Sequence, residues 1–187
     1  QDPRALQYAR ESLWEDPAFA VLCLRVSGGR AAPFLPAAHR QDRAVMMEAV
    51  ALDGLALNRV YGTELRADAE LVRVAVRQNW AALQFASEAL RQDRELALEA
   101  VRISWEAVAL LPAELHSDRG VMLEALRQSG EALRYAAEEL RADPALVREA
   151  EERGWAVAAT GEEGNYHSLN FAEEVRLPPM GSSSWAA

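Results

Sequence analysis

LRADAELVRVAVRQNWAALQFASEA (residues 65–89), LRQDRELALEAVRISWEAVALLPAE (90–114) and LHSDRGVMLEALRQSGEALRYAAEE (115–139) are one pattern written three times. Their aspartates, Asp68, Asp93 and Asp118, fall 25 residues apart, and Asp143 continues the step. Upstream, Asp42 and Asp16 extend it with intervals of 26 residues. A fixed period of this length marks a repeat array rather than a closed globule.

Counted from each Asp, apolar residues recur at fixed offsets. Three residues on stand Phe19, Val45, Leu71, Leu96, Val121 and Leu146; seven on stand Cys23, Ala49, Ala75, Ala100, Ala125 and Ala150. Eight on stand Leu24, Val50, Val76, Val101 and Leu126. Offsets of three, seven and eight lie on one stripe of an α-helix. Each Asp is a candidate N-cap, with Glu70 and Glu95 placed favourably in the first turn. Eleven residues on, Asp53, Asn79, Ser104 and Ser129 are again capping residue types. Ala82-Leu83, Phe85-Ala86 and their counterparts follow. The spacing predicts two helices per unit of about ten residues, ~15 Å each. Helices that short gain stability only by burying their stripes against neighbouring units.

The expected organisation is an all-α array of short antiparallel helix hairpins, α-solenoid-like, over residues 1–160. It comprises a half-repeat (1–13), a degenerate repeat (14–41), repeats at 42–64, 65–89, 90–114 and 115–139, and a capping repeat (140–160). Gly28-Gly29, Pro33 and Pro36 shorten or kink the second helix of the degenerate copy. Glu151 takes an apolar column in the last copy, as a capping unit requires. Residues 161–187 leave the pattern. Tyr166, Leu169, Phe171, Leu177 and Trp185 have no spacing there that would bury them locally. This tail is expected to order against a partner, with docking onto its own array as the alternative.

The chain carries a net charge of −9, which weighs against polyanionic partners such as nucleic acid. All 20 basic residues are Arg, and Ile103 is the sole isoleucine, a pattern of GC-rich coding. No apolar run approaches the ~18 residues of a transmembrane helix. A single cysteine, Cys23, forms no internal disulfide and reads as a small buried filler. His39, His116 and His167 are isolated, with no metal-ligand spacing. Neither a phosphate-binding glycine loop nor a Gly-x-Ser-x-Gly elbow occurs. The expectation is therefore no catalytic residue, no cofactor, no metal and no small-molecule substrate.

Two columns are candidate partner surfaces. Nine residues after the Asp stand Arg25, Arg77, Arg102 and Arg127; twelve after it the residue is Gly (28, 54, 130) or Trp (80, 105, 155). Stacked units would bring Trp80 and Trp105 into a ladder at roughly 10 Å per layer. They either pack over the adjacent turns or form an Arg- and aromatic-rich strip of the kind enriched at interface hot spots. Arg77, Trp80, Arg102, Trp105 and Arg127, with Tyr166, Phe171 and Trp185 of the tail, are the candidate partner-binding residues.

Leu65–Leu90 and Leu115–Leu140 resemble a family of short helical repeats known only as a domain of unknown function. Its copies read approximately L-x-x-D-x-x-V-V-x-x-A-V-x-Q-N-G-x-A-L-x-Y-A-S-x-x-L. The resemblance covers roughly residues 5–160, weakly at 14–41, and Trp80 and Trp105 depart from its Gly. It implies a helical array without an established activity, found largely in unicellular eukaryotes, algae among them. The resulting expectation is a non-catalytic scaffold or peripheral subunit held by other protein subunits. Start without Met, GC-rich coding and the algal resemblance extend it to an intracellular, organellar setting: the soluble side of a photosynthetic membrane complex at the chloroplast thylakoid surface. The alternative is an RNA-binding helical-repeat protein reading one residue per unit.

Overall fold

The computed structural model describes residues 3–154. Every regular element among these residues is helical, as the periodicity predicts. The tail 161–187, with its apolar residues, lies outside the described residues, as does Trp155.

The repeating Asp starts each long helix. Asp68 accepts hydrogen bonds from the Glu70 and Leu71 amides and opens Ala69–Gln78. Asp42, Asp93 and Asp118 do the same for Arg43–Leu52, Arg94–Ile103 and Arg119–Leu126. Asp16 and Asp143 each accept one amide at the heads of Pro17–Ser27 and Pro144–Glu152. These bonds satisfy amides that have no partner inside the helix. The predicted stripe faces inward. The columns Val45/Leu71/Leu96/Val121/Leu146, Ala49/Ala75/Ala100/Ala125/Ala150 and Leu24/Val50/Val76/Val101/Leu126 are all buried in one continuous core. Removing a Val or Leu side chain of this kind from water stabilises by about 1.5–3 kcal/mol. Three residues before each Asp lies a further column, a leucine in every copy but one (Leu13, Leu65, Leu90, Leu115 and Leu140, with His39 the exception); Leu13 is exposed, and the other leucines are partly or fully buried.

The second half of each unit corrects the reading of two ten-residue helices. Asn79 ends the long helix in extended conformation (φ −153°), donating its amide to the Ala75 carbonyl, and its side chain then caps the next element through the Ala81 amide. That element, Trp80–Phe85, is a 3-10 helix, and so are Gly54–Arg59, Trp105–Leu110 and Gly130–Tyr135. An extended residue, Ala86, stops it after six residues, and Ser87 caps a one-turn helix, Glu88–Arg91. Ala82, Leu83, Phe85 and Ala86 repeat at intervals of three, which suits three residues per turn as well as it suits an α-helix. Only a third turn could have separated the two readings, and the extended stop at Ala86 prevents it.

The short helices Glu88–Arg91, Ala113–His116 and Glu138–Arg141 straddle the boundaries expected at 89/90, 114/115 and 139/140. The structural unit therefore runs from one capping Asp to the next: 42–67, 68–92, 93–117 and 118–142. In the degenerate copy, Gly28 (φ 60°) and Gly29 (φ 83°) take left-handed conformations that glycine adopts without strain, closing the first long helix. A short 3-10 turn, Ala32–Phe34, and the helix Ala37–Gln41 follow. At the other end Glu151 is exposed in the column that buries Val76, Val101 and Leu126. No helix among the described residues is long and apolar enough to cross a membrane.

Candidate interaction surface

Most directed bonds between consecutive units fall in four columns. In the first, the residue after the capping Asp reaches the capping Asp of the next unit. Arg43 meets Asp68 (2.6 Å) and also Glu70; Arg94 meets Asp118 (2.7 Å); Arg119 meets Asp143 (3.4 Å). Arg43 holds the Asp68 carboxyl below the ordinary carboxylate range, and Arg94 does the same for Asp118. At Asp143 the bond from the Ala145 amide contributes more to the lowering than Arg119 does.

In the second column a glutamine clamps the preceding unit where its long helix passes into the 3-10 helix. Gln78 accepts from the Gly54 amide (2.7 Å) and donates to the Leu52 carbonyl (3.4 Å). Gln128 accepts from the Trp105 amide (2.9 Å) and donates to the Val101 carbonyl. Gly54 lets the next helix close in: a Cβ there would lie 2.3 Å from the Ala75 carbonyl oxygen. Trp105 has a Cβ in that column, and the clamp's acceptor moves back from the position of Leu52 to that of Val101.

The third column is a backbone rung between consecutive short helices. The amides of Tyr61, Ser87 and Ala137 donate to the carbonyls of Arg40, Arg66 and His116. The fourth is the Arg column singled out in the sequence. Arg25 pairs with Glu48 (2.6 Å), Arg77 with Glu99 (3.2 Å) and Arg102 with Glu124 (3.9 Å), each across a seam; Arg127 turns back within its own helix to Glu124 (3.0 Å). Arg25 lowers the Glu48 pKa. These guanidinium groups are solvent-exposed, and each lies beside a carboxylate. Such pairs contribute about 0–1 kcal/mol apiece.

Trp80 and Trp105 are half-buried against the core and make no ring contact with each other. The ring beside Trp105 is Tyr135 of the next unit, 6.4 Å away, in the column occupied by Leu110 opposite Trp80. His116 lies 6.5 Å from the same Tyr135 ring and bonds the Val108 carbonyl (2.9 Å). His39 takes the leucine column, 6% exposed, with its Nε2 2.7 Å from the Trp14 carbonyl. Cys23 is half-buried, and burial raises its thiol pKa. Tyr166, Phe171 and Trp185 lie outside the described residues.

The family called Domain of unknown function (DUF4116) matches residues 42–91, 68–116 and 93–141, together more than half of the chain. The chain belongs to this family. The matches begin at Asp42, at Asp68 and at Asp93, and each takes in two consecutive structural units. They do not reach the degenerate copy or the residues beyond 141, so they cover less than the 5–160 of the sequence resemblance. No curated protein and no solved structure matches the chain.

Sequence reasoning missed the glutamine column and one exposed apolar face. Leu22 and Val26, on Pro17–Ser27, are 57% and 62% exposed. They occupy the offsets six and ten residues after the Asp, through which later units reach back to their predecessors. There the pairs are Glu48/Leu52, Val74/Gln78, Glu99/Ile103 and Glu124/Gln128. Every regular unit keeps at least one polar residue in this pair, and the first unit keeps none. Lining up the columns by offset would have revealed it.

Proposed function

We propose that this chain is a non-catalytic scaffold or peripheral subunit that holds other protein subunits in a larger assembly. The observation that carries the reading is the Leu22/Val26 face. It stands where a unit normally grips its predecessor, it is apolar, and it remains exposed with residues 3–15 in place. Apolar side chains at i and i+4 on an open helix face gain most by lying against another protein surface. The half-buried Trp80 and the Trp105–Tyr135 pair add aromatic area along the array. The finer form of the reading, an aqueous-side subunit of a photosynthetic membrane complex in an organelle, rests on the algal resemblance and the Arg-only basic composition. The RNA-binding alternative draws on the Arg column, where Glu48, Glu99 and Glu124 offset the charge a phosphate would need.

The test is native purification of the full chain beside a Leu22→Glu/Val26→Gln variant, which gives the first unit the polar residue types its successors use. A protein recovered in fixed stoichiometry with the parent and lost with the variant, at unchanged helical content and melting temperature, is the expected result. Recovery of RNA in a salt-dependent manner, or of neither, overturns the scaffold reading.

A further inference from the structure

The seam at 92/93, between the unit 68–92 and the unit 93–117, lacks three of the four directed columns at once. Ala69 stands where Arg43 and Arg94 reach forward, so Asp93 receives no arginine from the preceding unit. Ile103 stands where Gln78 and Gln128 reach back, so the Trp80 amide has no glutamine clamp; Ile103 is itself 46% exposed. Pro112 stands where Tyr61, Ser87 and Ala137 donate their amides, and proline has no N–H to give the Arg91 carbonyl. A shallow hollow lined by Glu88, Arg91, Gln92, Leu110, Leu111 and Pro112 lies at that place. Among the described residues, apart from the local Asp93-amide-to-Leu90-carbonyl bond that has its counterpart at the other seams, the hydrogen bonds and ion pairs across this seam go to Glu99, from Arg73 and Arg77.

The apolar columns continue through the seam without interruption, with Leu71, Val72, Ala75 and Val76 on one side and Leu96, Ala97, Ala100 and Val101 on the other. Apolar burial is non-directional, whereas hydrogen bonds fix register. An interface that keeps the first and loses most of the second can slide or rock while remaining dry, the shear type of motion between packed helices. In a linear array each unit touches only its neighbours, so the weakest seam decides where cooperativity breaks. The geometry points to a joint at 92/93: the array is two cooperative blocks, 3–92 and 93–154, tethered through Glu99 and free to move against each other. The array can thereby change the spacing between surfaces carried by its two blocks without unfolding either.

The test uses hydrogen exchange of the full chain across a urea series, read on peptides from Ala69–Gln78 and Arg94–Ile103. At low urea the protection of the two helices is expected to differ by at least about tenfold, because the blocks open separately. Ala69→Arg/Ile103→Gln restores two columns at exposed positions, and the gap is expected to close to within about threefold. Coincident exchange of both helices in the parent overturns the joint. So does a gap that survives in a variant of parental helical content. A converse variant, Arg94→Ala/Gln128→Ile, decides the matter should the restoring one misfold. It is expected to add a second boundary at 117/118, seen as protection of Arg119–Leu126 departing from that of Arg94–Ile103, and coincident exchange of those two helices in the variant counts against the proposal.

Discussion

The seams at 92/93 and 117/118 join units with nearly the same buried residues and differ in almost everything polar. Across 117/118 run the Arg94–Asp118 pair, both Gln128 bonds, the Ala137-to-His116 backbone bond and the Arg102–Glu124 pair. Across 92/93, among the described residues, the side-chain bonds are the arginine contacts to Glu99. Both seams nonetheless bury the same columns in one core. The contrast separates two functions of sequence in this fold. The apolar columns decide that the units stack at all, and the polar columns decide how firmly one unit is registered on the next.

The strongest way to break this contrast is to strike what the seams share. Ala100→Asp and Ala125→Asp each force a carboxylate into a fully buried column, and a loss of at least ~3 kcal/mol is expected from either. Thermal melting at the parental temperature in both variants would mean that the register is wrong. A smaller change makes the firm seam resemble the loose one. Arg94→Ala/Gln128→Ile/Ala137→Pro removes the exposed ion pairs of Arg94 with Asp118 and Glu95 and the three hydrogen bonds made across the seam by Gln128 and Ala137, for an expected loss of about 2–4 kcal/mol in urea denaturation. Ala137 already has φ −59°, which proline accepts, so the substitution removes the donor without strain. A loss below ~1 kcal/mol would show that the polar columns are ornament to the packing.

Caps sharpen the contrast further. Asp93→Ala and Asp118→Ala should each cost about 0.5–2 kcal/mol. Asparagine preserves the capping oxygen, so Asp93→Asn should be close to neutral. Asp118→Asn should lose up to about 1 kcal/mol more than Asp93→Asn, because Arg94 faces position 118 while Ala69 stands opposite position 93. Equal costs at the two sites in chemical denaturation would remove Arg94 from the account.

The smallest effect is in acid. Asp68 and Asp118 are held below their ordinary pKa by Arg43 and Arg94, so their stabilisation is complete above the unfolded value of about 3.9. It is lost as pH falls further, through the depressed folded-state values. Between pH 7 and about pH 4 the contrast between the seams should therefore hold, and below that it should narrow. Hydrogen exchange of the two flanking helices at about pH 4 and at about pH 2.5 would show a gap that shrinks on acidification; a gap that widens contradicts the assignment.

The long helices were legible in the sequence because offsets of three, seven and eight admit one geometry, and because an Asp before such a stripe has one common use. The 3-10 helices were not. Ala82, Leu83, Phe85 and Ala86 fill too few turns to distinguish three residues per turn from 3.6, and the extended conformation of Ala86 leaves no mark of its own. Of the candidate surface, the Arg column was visible as a column, but the Glu partners of Arg25, Arg77 and Arg102 lie in neighbouring units and emerge only once the stacking distance is known. Gln78 and Gln128 were hidden for a related reason. A glutamine that serves another unit's backbone looks, within its own helix, like an ordinary exposed polar residue. The absence of three bonds at one seam needed the bonds at the other seams first.

Each unit in this array offers one face forward and a different, complementary face backward. Contacts of that heterologous kind contain no instruction to stop, and repeated without closure they describe an open filament. Growth by stacking is ended by the residues that spoil a face. Glu151, on Pro144–Glu152, is suited to that task, because it sets an exposed carboxylate at the offset where Val76, Val101 and Leu126 are buried. Leu22 and Val26 are the opposite kind of feature, an exposed apolar pair on a long helix. Replacing Glu151 by valine removes the charge, and the expected outcome is association of the chain that rises with its concentration.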